Sequence, residues 1–277
     1  MRNILGLFDG MSCTQIALER ANIDYDVYYA SEIDKYCMTI AQKNYPDTIQ
    51  LGDIKDIKGE DLPPIHLMVG GSPCQGFSLV GKHLNFDDPR SKLFFEYVRL
   101  IKECNPKYFI LENVKMRQDI KDVISSYLGV QPIEINSALV SGQHRRRLYW
   151  TNIPNVEMPN DKLITGHSIL EDSSYEIATV RKGHPRQVVS PNGNKLGCLT
   201  ASYYKGINSD GRPAKAKIFG DYKDSDIQML SPVECERLQT VPEDYTEGVS
   251  KTQRYKMLGN GFTVDVIAHI LSYIPKD

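Results

Sequence analysis

The chain has 277 residues, 41% of them hydrophobic and 25% charged, with 33 Lys/Arg against 35 Asp/Glu for a formal net charge of −2. That length fits one large domain, or a medium and a small one, and it buries enough surface to fold without disulfide staples. No apolar run approaches the roughly 18 residues of a membrane span, and the first residues lack the apolar core of a signal peptide, so neither a membrane protein nor a secreted one is expected. Six cysteines stand at 13, 37, 74, 104, 198 and 235, and no pair has the two- or three-residue spacing of a zinc site, so no metal is expected.

The first half alternates short apolar runs with helical patterns, the mark of βαβ units and a parallel sheet. A buried strand is predicted over 3–7, then a turn hinged at Gly10, then a helix capped by Ser12 with Ile16, Ala17 and Ala21 on its apolar face. Further strands are predicted over 27–31, 66–69, 108–111, 132–135 and 147–151. Helices are predicted over 35–44, 93–104 and 119–128. Residues 154–226 are rich in Pro, Gly, Asn, Ser and Lys and read as a loop-rich region with short strands over 195–200 and 216–219. Regular structure resumes at Ser231-Pro232-Val233-Glu234, where Ser caps, Pro fits the first turn and Glu closes a capping box. A last helix is predicted over 264–273.

Charge is unevenly spread. Between Val140 and Lys217 there are twelve Lys/Arg and six Asp/Glu, so this stretch is +6 and the remainder −8. Such a patch suits a polyanion, with an affinity that falls as salt rises, although a solvated basic surface arises by chance about as often. Lys182, Arg186, Lys195, Lys205, Arg212 and Lys215 are the candidates for phosphate clamps.

Four stretches carry chemistry. Gly70-Gly71-Ser72-Pro73-Cys74-Gln75-Gly76-Phe77-Ser78 follows a predicted strand and so lies at the carboxyl edge of the sheet, where open α/β folds bind ligands. An unperturbed thiol is only about 3% thiolate at neutral pH, so a nucleophilic Cys74 needs cationic or dipolar help. Glu112, ending the apolar run Phe109-Ile110-Leu111, faces the same edge, where desolvation makes a carboxyl a usable proton donor; a capping or salt-bridging Glu is the plainer alternative. In Gln143-His144-Arg145-Arg146-Arg147, period-two alternation puts Arg145 and Arg147 on one face if the strand begins within it, a pair suited to a phosphate or carboxylate. Taken singly, it is a surface basic run. Finally, Phe8-x-Gly10 follows the first strand, Ser31-Glu32 ends the second, and Gly52-Asp53-Ile54 lies beyond it. An acid at that second strand end commonly takes ribose hydroxyls, and the lack of G-x-G-x-x-G or a P-loop favours a nucleoside cofactor without a diphosphate.

The ordered set Phe8-Asp9-Gly10, Ser31-Glu32-Ile33-Asp34, Gly52-Asp53-Ile54, Pro73-Cys74-Gln75, Glu112-Asn113-Val114, Gln143-x-Arg145-x-Arg147 and Leu258-Gly259-Asn260 resembles the DNA (cytosine-5) methyltransferase family over nearly the whole chain. In pattern it is similar to compact phage and bacterial members and to the catalytic domains of the vertebrate de novo enzymes. The resemblance implies an α/β, Rossmann-like fold that uses S-adenosylmethionine, with residues 1–153 a catalytic and cofactor-binding domain completed by 252–277 and residues 154–251 a small target-recognition region. It implies cytosine-C5 methylation of double-stranded DNA by base flipping, with Cys74 attacking C6, Glu112 holding the pyrimidine N3 and amine, Arg147 on the base carbonyl and Arg145 beside the cysteine and phosphates. Phe8, Gly10, Glu32, Ile33, Asp53, Ile54, Pro73, Leu93 and Asn260 are implied as cofactor contacts, and Gln75, Ser78 and Thr200 as DNA contacts beside the basic candidates. Residue 33 is Ile where some relatives carry an aromatic, and Gly261 stands where many have Ser. The expectation is a stand-alone, cytoplasmic bacterial or phage enzyme of restriction-modification type, acting as a monomer on DNA. The alternatives are a regulatory protein that keeps the fold without catalysis, against which the intact Pro-Cys-Gln and Glu-Asn-Val argue, and an RNA methyltransferase, which the 2′-hydroxyl would distinguish.

Overall fold

The computed structural model describes residues 2–72, 89–180, 187–189, 195–206, 214–218 and 227–276, which fall into two compact units. The first comprises 1–135, 146–157 and 268–277; the second comprises 136–145 and 158–267.

The first unit is built on strands β1 (Asn3–Leu7), β2 (Val27–Ser31), β3 (Ile49–Gln50), β4 (Ile65–Gly70), β5 (Tyr108–Val114), β6 (Ile133–Asn136) and β7 (Arg146–Thr151), in the order β3-β2-β1-β4-β5-β7-β6. The pairs from β3 to β5 are parallel, as the alternating pattern predicts, and β1 is buried at all five positions because it has neighbours on both sides. The sheet is nonetheless mixed, since β7 runs antiparallel to β5 with Glu112 opposite Tyr149 and Val114 opposite Arg147. The chain leaves β1 for β2 and β3, then crosses back to β4 on the other side of β1. The β1/β4 junction is therefore a topological switch point, flanked at its carboxyl edge by Leu7 and Gly70.

Helices α1 (Cys13–Arg20), α2 (Lys35–Asn44), α3 (Pro89–Cys104) and α4 (Gln118–Leu128) connect these strands. The core packs Leu5, Leu7 and Met68 of the sheet with Phe94, Tyr97 and Leu100 of α3, Ile120 and Ile124 of α4, and Leu148 and Trp150 of β7. Trp150 Nε1 satisfies its donor on Ser125 Oγ at 2.9 Å, so the indole is buried without a polar penalty. Ser12 does not cap α1 as expected. Its backbone is left-handed (φ 66°), and its hydroxyl accepts from Gln15 Nε2 at 2.8 Å, because the residue is taken up in the preceding turn.

The second unit carries an antiparallel sheet, ordered β11-β10-β8-β9, from β8 (Glu176–Val180), β9 (Gln187–Val189), β10 (Ala214–Ile218) and β11 (Ile227–Gln228). The strand expected over 195–200 is reduced to a single bridge between Leu196 and Gln143, because this segment is consumed by side-chain contacts rather than by a ladder. Helix α5 (Pro232–Leu238) opens on the expected capping box: Ser231 Oγ accepts from Glu234 N at 3.1 Å, and Ser231 N donates to Glu234 Oε2 at 2.7 Å. Helix α6 (Lys251–Asn260) is an addition, and α7 (Val264–Leu271) follows it.

A buried acid fixes the loop after α5. Glu236 is fully buried; Oε1 accepts from Arg254 Nη2 at 2.9 Å and Thr246 N at 2.9 Å, and Oε2 accepts from Asp244 N at 2.8 Å. It thereby holds a loop in which Thr240 and Asp244 both have left-handed backbones. Glu236→Ala leaves the Arg254 guanidinium and two amides without their acceptor, so equilibrium urea unfolding is expected to show a loss of about 3–5 kcal/mol. A loss below about 1 kcal/mol would contradict this account of the loop.

Candidate active site

The parallel register brings the carboxyl ends of β1, β2, β4 and β5 to one edge, so the motifs that follow those strands converge there. After β1, the turn Phe8–Ser12 has left-handed backbones at Phe8 (φ 54°), Gly10 (φ 60°) and Ser12 (φ 66°). Only Gly10 adopts this geometry at no steric cost. Asp9 N donates to Ser31 O at 3.1 Å, Ser12 N donates to Asp9 O at 3.0 Å and Gly10 N donates to Glu32 Oε2 at 2.8 Å, which ties the turn to the end of β2.

The other Glu32 oxygen accepts from Ile33 N at 2.7 Å and Asp34 N at 2.8 Å, so three backbone amides orient the carboxylate. Ile33 is 73% exposed, a large apolar side chain left open beside that acid. Ser31 Oγ donates to Gly52 O at 2.8 Å and Leu51 N to Ala30 O at 2.8 Å, which draws the Gly52-Asp53-Ile54 segment in beside β2. Asp53 caps the short turn Ile54–Asp56 by accepting from Lys55 N at 3.1 Å, and Ile54 is buried against the core. Leu93, on α3, packs on the same core. The donor and acceptor set has the chemistry to hold a nucleoside: a glycine turn for close approach, an oriented carboxylate for hydroxyls and an open aliphatic surface for a base. Phe8, Gly10, Glu32, Ile33, Asp53 and Ile54 are all brought to this edge.

Beyond β4 the backbone is pinned before the cysteine. Asn113 Nδ2, buried on β5, donates to Ser72 O and Ser72 Oγ, each at 3.2 Å. A Cβ at Gly70 would meet Leu7 O at 3.0 Å and Tyr97 Cε2 at 2.9 Å, so glycine lets β4 end flush against β1 and α3. Pro73, Cys74, Gln75 and Ser78 lie outside the described residues, as do Lys182, Arg186 and Arg212.

On β5 and β7, Glu112 Oε1 meets Arg147 Nε at 3.0 Å, with side chains only 13% and 14% exposed. The antiparallel pairing brings this acid and base together at the edge that follows β5. An oriented acceptor next to an oriented fork of donors suits a planar heterocycle edge that has both a donor and a carbonyl.

Arg145 is placed otherwise than the alternation predicts. Strand β7 begins at Arg146, and Arg145 precedes it in the second unit, 3% exposed. Its Nη1 donates to Leu199 O at 2.9 Å and its Nη2 to Gly261 O at 2.9 Å and Gly259 O at 3.3 Å, with Cys198 Sγ 3.3 Å from Nη1. Gln143, fully buried, works in parallel: Nε2 donates to Leu238 O at 2.8 Å and Gln239 Oε1 at 3.0 Å, and Oε1 accepts from Leu199 N at 2.9 Å. The backbones they hold are in close contact, since a Cβ at Gly259 would lie 2.2 Å from Thr200 C. Gln143 and Gly259 both stand in the motifs quoted from the sequence, but the motifs alone give neither a role, and the polar, basic stretch Ser141-Gly142-Gln143-His144-Arg145 carries no signal that its glutamine is a buried anchor. Thr200 and Lys205 are exposed on this unit, and Asn260 is exposed at the end of α6. Lys195 is not available as a clamp: its Nζ donates to Ser141 O at 3.2 Å and to Ile164 O, and lies 3.8 Å from Asp161. Its burial lowers the ammonium pKa.

Truncation separates the two arginines. Arg145→Ala takes the guanidinium donors from the buried carbonyls of Leu199 and Gly259, while Gly261 O keeps Gln239 Nε2 at 3.1 Å; at about 1–3 kcal/mol for each of the two, thermal and urea unfolding are expected to show a loss of at least about 2 kcal/mol. Arg147→Ala frees a partly exposed pair and is expected to cost clearly less. Equal losses in the two variants would refute this division of roles.

The profile of the C-5 cytosine-specific DNA methylase family matches residues 2–122 and 116–276. The chain is 33% identical over 305 residues to the Type II methyltransferase M1.ScrFI of Lactococcus lactis subsp. cremoris, covering 95% of this chain and 75% of that protein. It is 30% identical over 310 residues to the Type II methyltransferase M.SsoII of Shigella sonnei, covering 98% and 79% respectively. The crystal structure of S. pombe Dnmt2 methyltransferase superposes with a TM-score of 0.76 at 20% identity, covering 98% of each chain, which establishes a shared fold. The chain belongs to the C-5 cytosine-specific DNA methylase family and is a DNA (cytosine-5) methyltransferase with a Rossmann-like fold.

Proposed function

We propose that the chain methylates C5 of cytosine in double-stranded DNA after everting the base, through a covalent bond between Cys74 and C6. The observation that carries this reading is the Glu112–Arg147 pair at 3.0 Å, at the strand edge that also leads into Pro73-Cys74-Gln75. C5 and C6 of a stacked base cannot be approached from above and below, so the chemistry requires the base to leave the helix.

Glu112 accepts from the exocyclic amine and holds a proton at N3, while Arg147 donates to the base carbonyl. As the Cys74 thiolate bonds to C6, electron density moves to C5, and charge that builds on N3 and the carbonyl oxygen is met by these two groups. S-adenosylmethionine, when bound, supplies an electrophilic methyl group for C5. Loss of the C5 proton then restores the C5–C6 double bond and expels the Cys74 thiolate.

Within the first unit, Glu32 is suited to the ribose hydroxyls, Ile33 to one face of the adenine and Asp53 with Ile54 to its edge, with Phe8, Gly10 and Leu93 completing the surface. Pro73 joins them on the strength of the resemblance. On the second unit, Thr200 and Lys205 are proposed to meet backbone phosphates, together with Lys182, Arg186 and Arg212; Gln75 and Ser78 are proposed at the everted nucleotide. Arg145 serves here by holding Leu199, Gly259 and Gly261 rather than by touching the base.

The test is tritium transfer from S-adenosylmethionine to duplex DNA. Wild type is expected to form 5-methylcytosine, Cys74→Ser to fall to background, and Glu112→Gln to lose at least about a hundredfold in rate. Equal 5-methylcytosine from wild type and Cys74→Ser would overturn the mechanism, and transfer to transfer RNA but not to duplex DNA would move the substrate to RNA. DNA affinity is expected to drop steeply between about 50 and 200 mM salt; a salt-indifferent affinity would remove the +6 segment as the DNA face.

A further inference from the structure

Asp9 sits in the middle of the β1–α1 turn, and nothing above uses its side chain. It is 5% exposed, and Oδ2 is buried with no hydrogen-bond partner among the described residues. Oδ1 accepts from the Tyr28 hydroxyl at 2.5 Å. The fold makes room for this contact deliberately: a Cβ at Gly6 would lie 2.3 Å from both Asp9 Oδ1 and the Tyr28 hydroxyl. The backbone on either side of the carboxyl belongs to the cofactor turn, since Asp9 N is bonded to Ser31 O and the next amide, Gly10 N, to Glu32.

The groups around Asp9 are hydroxyls, a thiol and a second acid. Burial pushes its pKa up to about 6, the Tyr28 and Ser12 hydroxyls pull it back, and the Glu32 charge raises it further. Burial chiefly raises Tyr28 on β2, Tyr25 just before β2 and Cys37 on α2, and the charge on Asp9 adds to it in each case. A buried carboxylate with a like charge nearby is stabilised by any cation brought to the same turn. The methyl donor is such a cation. Its sulfonium carries a positive charge that the neutral thioether product lacks, while the adenosine, ammonium and carboxylate of the two molecules are the same.

We propose that Asp9, together with Glu32, is a specificity-determining residue that favours the sulfonium cofactor over its demethylated thioether product, so that spent cofactor is exchanged for fresh. The proposal rests on the cofactor reading of this turn. Transfer of the methyl group to C5 removes one positive charge from the cofactor and so weakens its attraction to the buried acid, which needs no contact to be felt. Through partly buried protein at about 10 Å, one unit charge on another changes affinity on the order of tenfold.

The sign of the pH effect follows. A cation favours the ionised acid, so its binding releases a proton, and its affinity falls as pH drops through the acid's pKa. Equilibrium binding of S-adenosylmethionine and S-adenosylhomocysteine, without DNA, at pH 5.5 and 7.5 tests this by calorimetry. In wild type the ratio of the two affinities is expected to favour the sulfonium by on the order of tenfold more at pH 7.5 than in Asp9→Asn, and to shrink severalfold at pH 5.5. Asp9→Asn should show a small, pH-independent ratio. Tyr28→Phe, which keeps the acid but removes a hydroxyl that lowers its pKa, should move the midpoint of the wild-type pH dependence upward. A ratio in Asp9→Asn equal to that of wild type, a wild-type ratio that is flat with pH, or an unmoved midpoint in Tyr28→Phe would overturn the proposal. Failure of wild type to bind either molecule would instead overturn the cofactor reading, and the proposal with it.

Discussion

The antiparallel pairing of β5 with β7 is the constraint on which the candidate catalytic edge depends. In a wholly parallel sheet, the strand after β5 would present its own carboxyl end at that edge. Because β7 arrives in the opposite sense, it delivers the beginning of a strand instead, and Arg147 stands beside Glu112 at 3.0 Å. Neither side chain is more than 14% exposed, so each restricts the rotamers of the other. The same edge receives the segments after β1 and β4, which lie either side of the switch point. One topological decision thus gathers motifs that are more than a hundred residues apart in the chain.

The second unit solves a different problem, that of joining segments with little regular structure. Only short strands pair there, so the backbone of Leu199 and of 259–261 is tied down by side chains: Gln143 and Arg145 reach three separate stretches, at 199, 238–239 and 259–261, through hydrogen bonds. Glu236 does the same for the loop at 240–246. Fixed polar hubs of this kind specify a loop conformation that hydrophobic patterning alone leaves open.

What could be read in advance follows from which forces act locally. Strands β1, β2 and β5 and helices α2 and α4 are written in periodicity, and the capping box at Ser231 and Glu234 in four adjacent residues, so these were legible. The βαβ rhythm also placed Glu32 just past a strand end, whereas the strand expected over 108–111 runs on to Val114, so Glu112 lies inside β5 because β7 pairs with it there. The strand expected over 195–200 was not formed, because Arg145 and Gln143 claim the carbonyl and amide of Leu199 from 54 and 56 residues away. Helix α6 was missed because its sequence, Lys-Thr-Gln-Arg-Tyr-Lys-Met-Leu-Gly-Asn, is polar through much of its length; its buried residues Tyr255, Met257, Leu258 and Gly259 show no clear stripe. Lys195 and Arg145 mislead for one reason. A cation in sequence reads as surface charge, and only the fold reveals that carbonyls have already claimed it.

The contact between Gly259 and Thr200 restricts how this protein can be recombined. With Thr200 C and Ala201 N so close to the position of any side chain at 259, the two stretches form a matched joint. A chimera that imported a foreign segment ending before Leu199 would keep the joint intact, whereas one that replaced 199–201 without 258–261 would have to rebuild it. The natural seams for transplantation therefore lie outside these two stretches, however tempting the sequence between them looks as an exchangeable cassette.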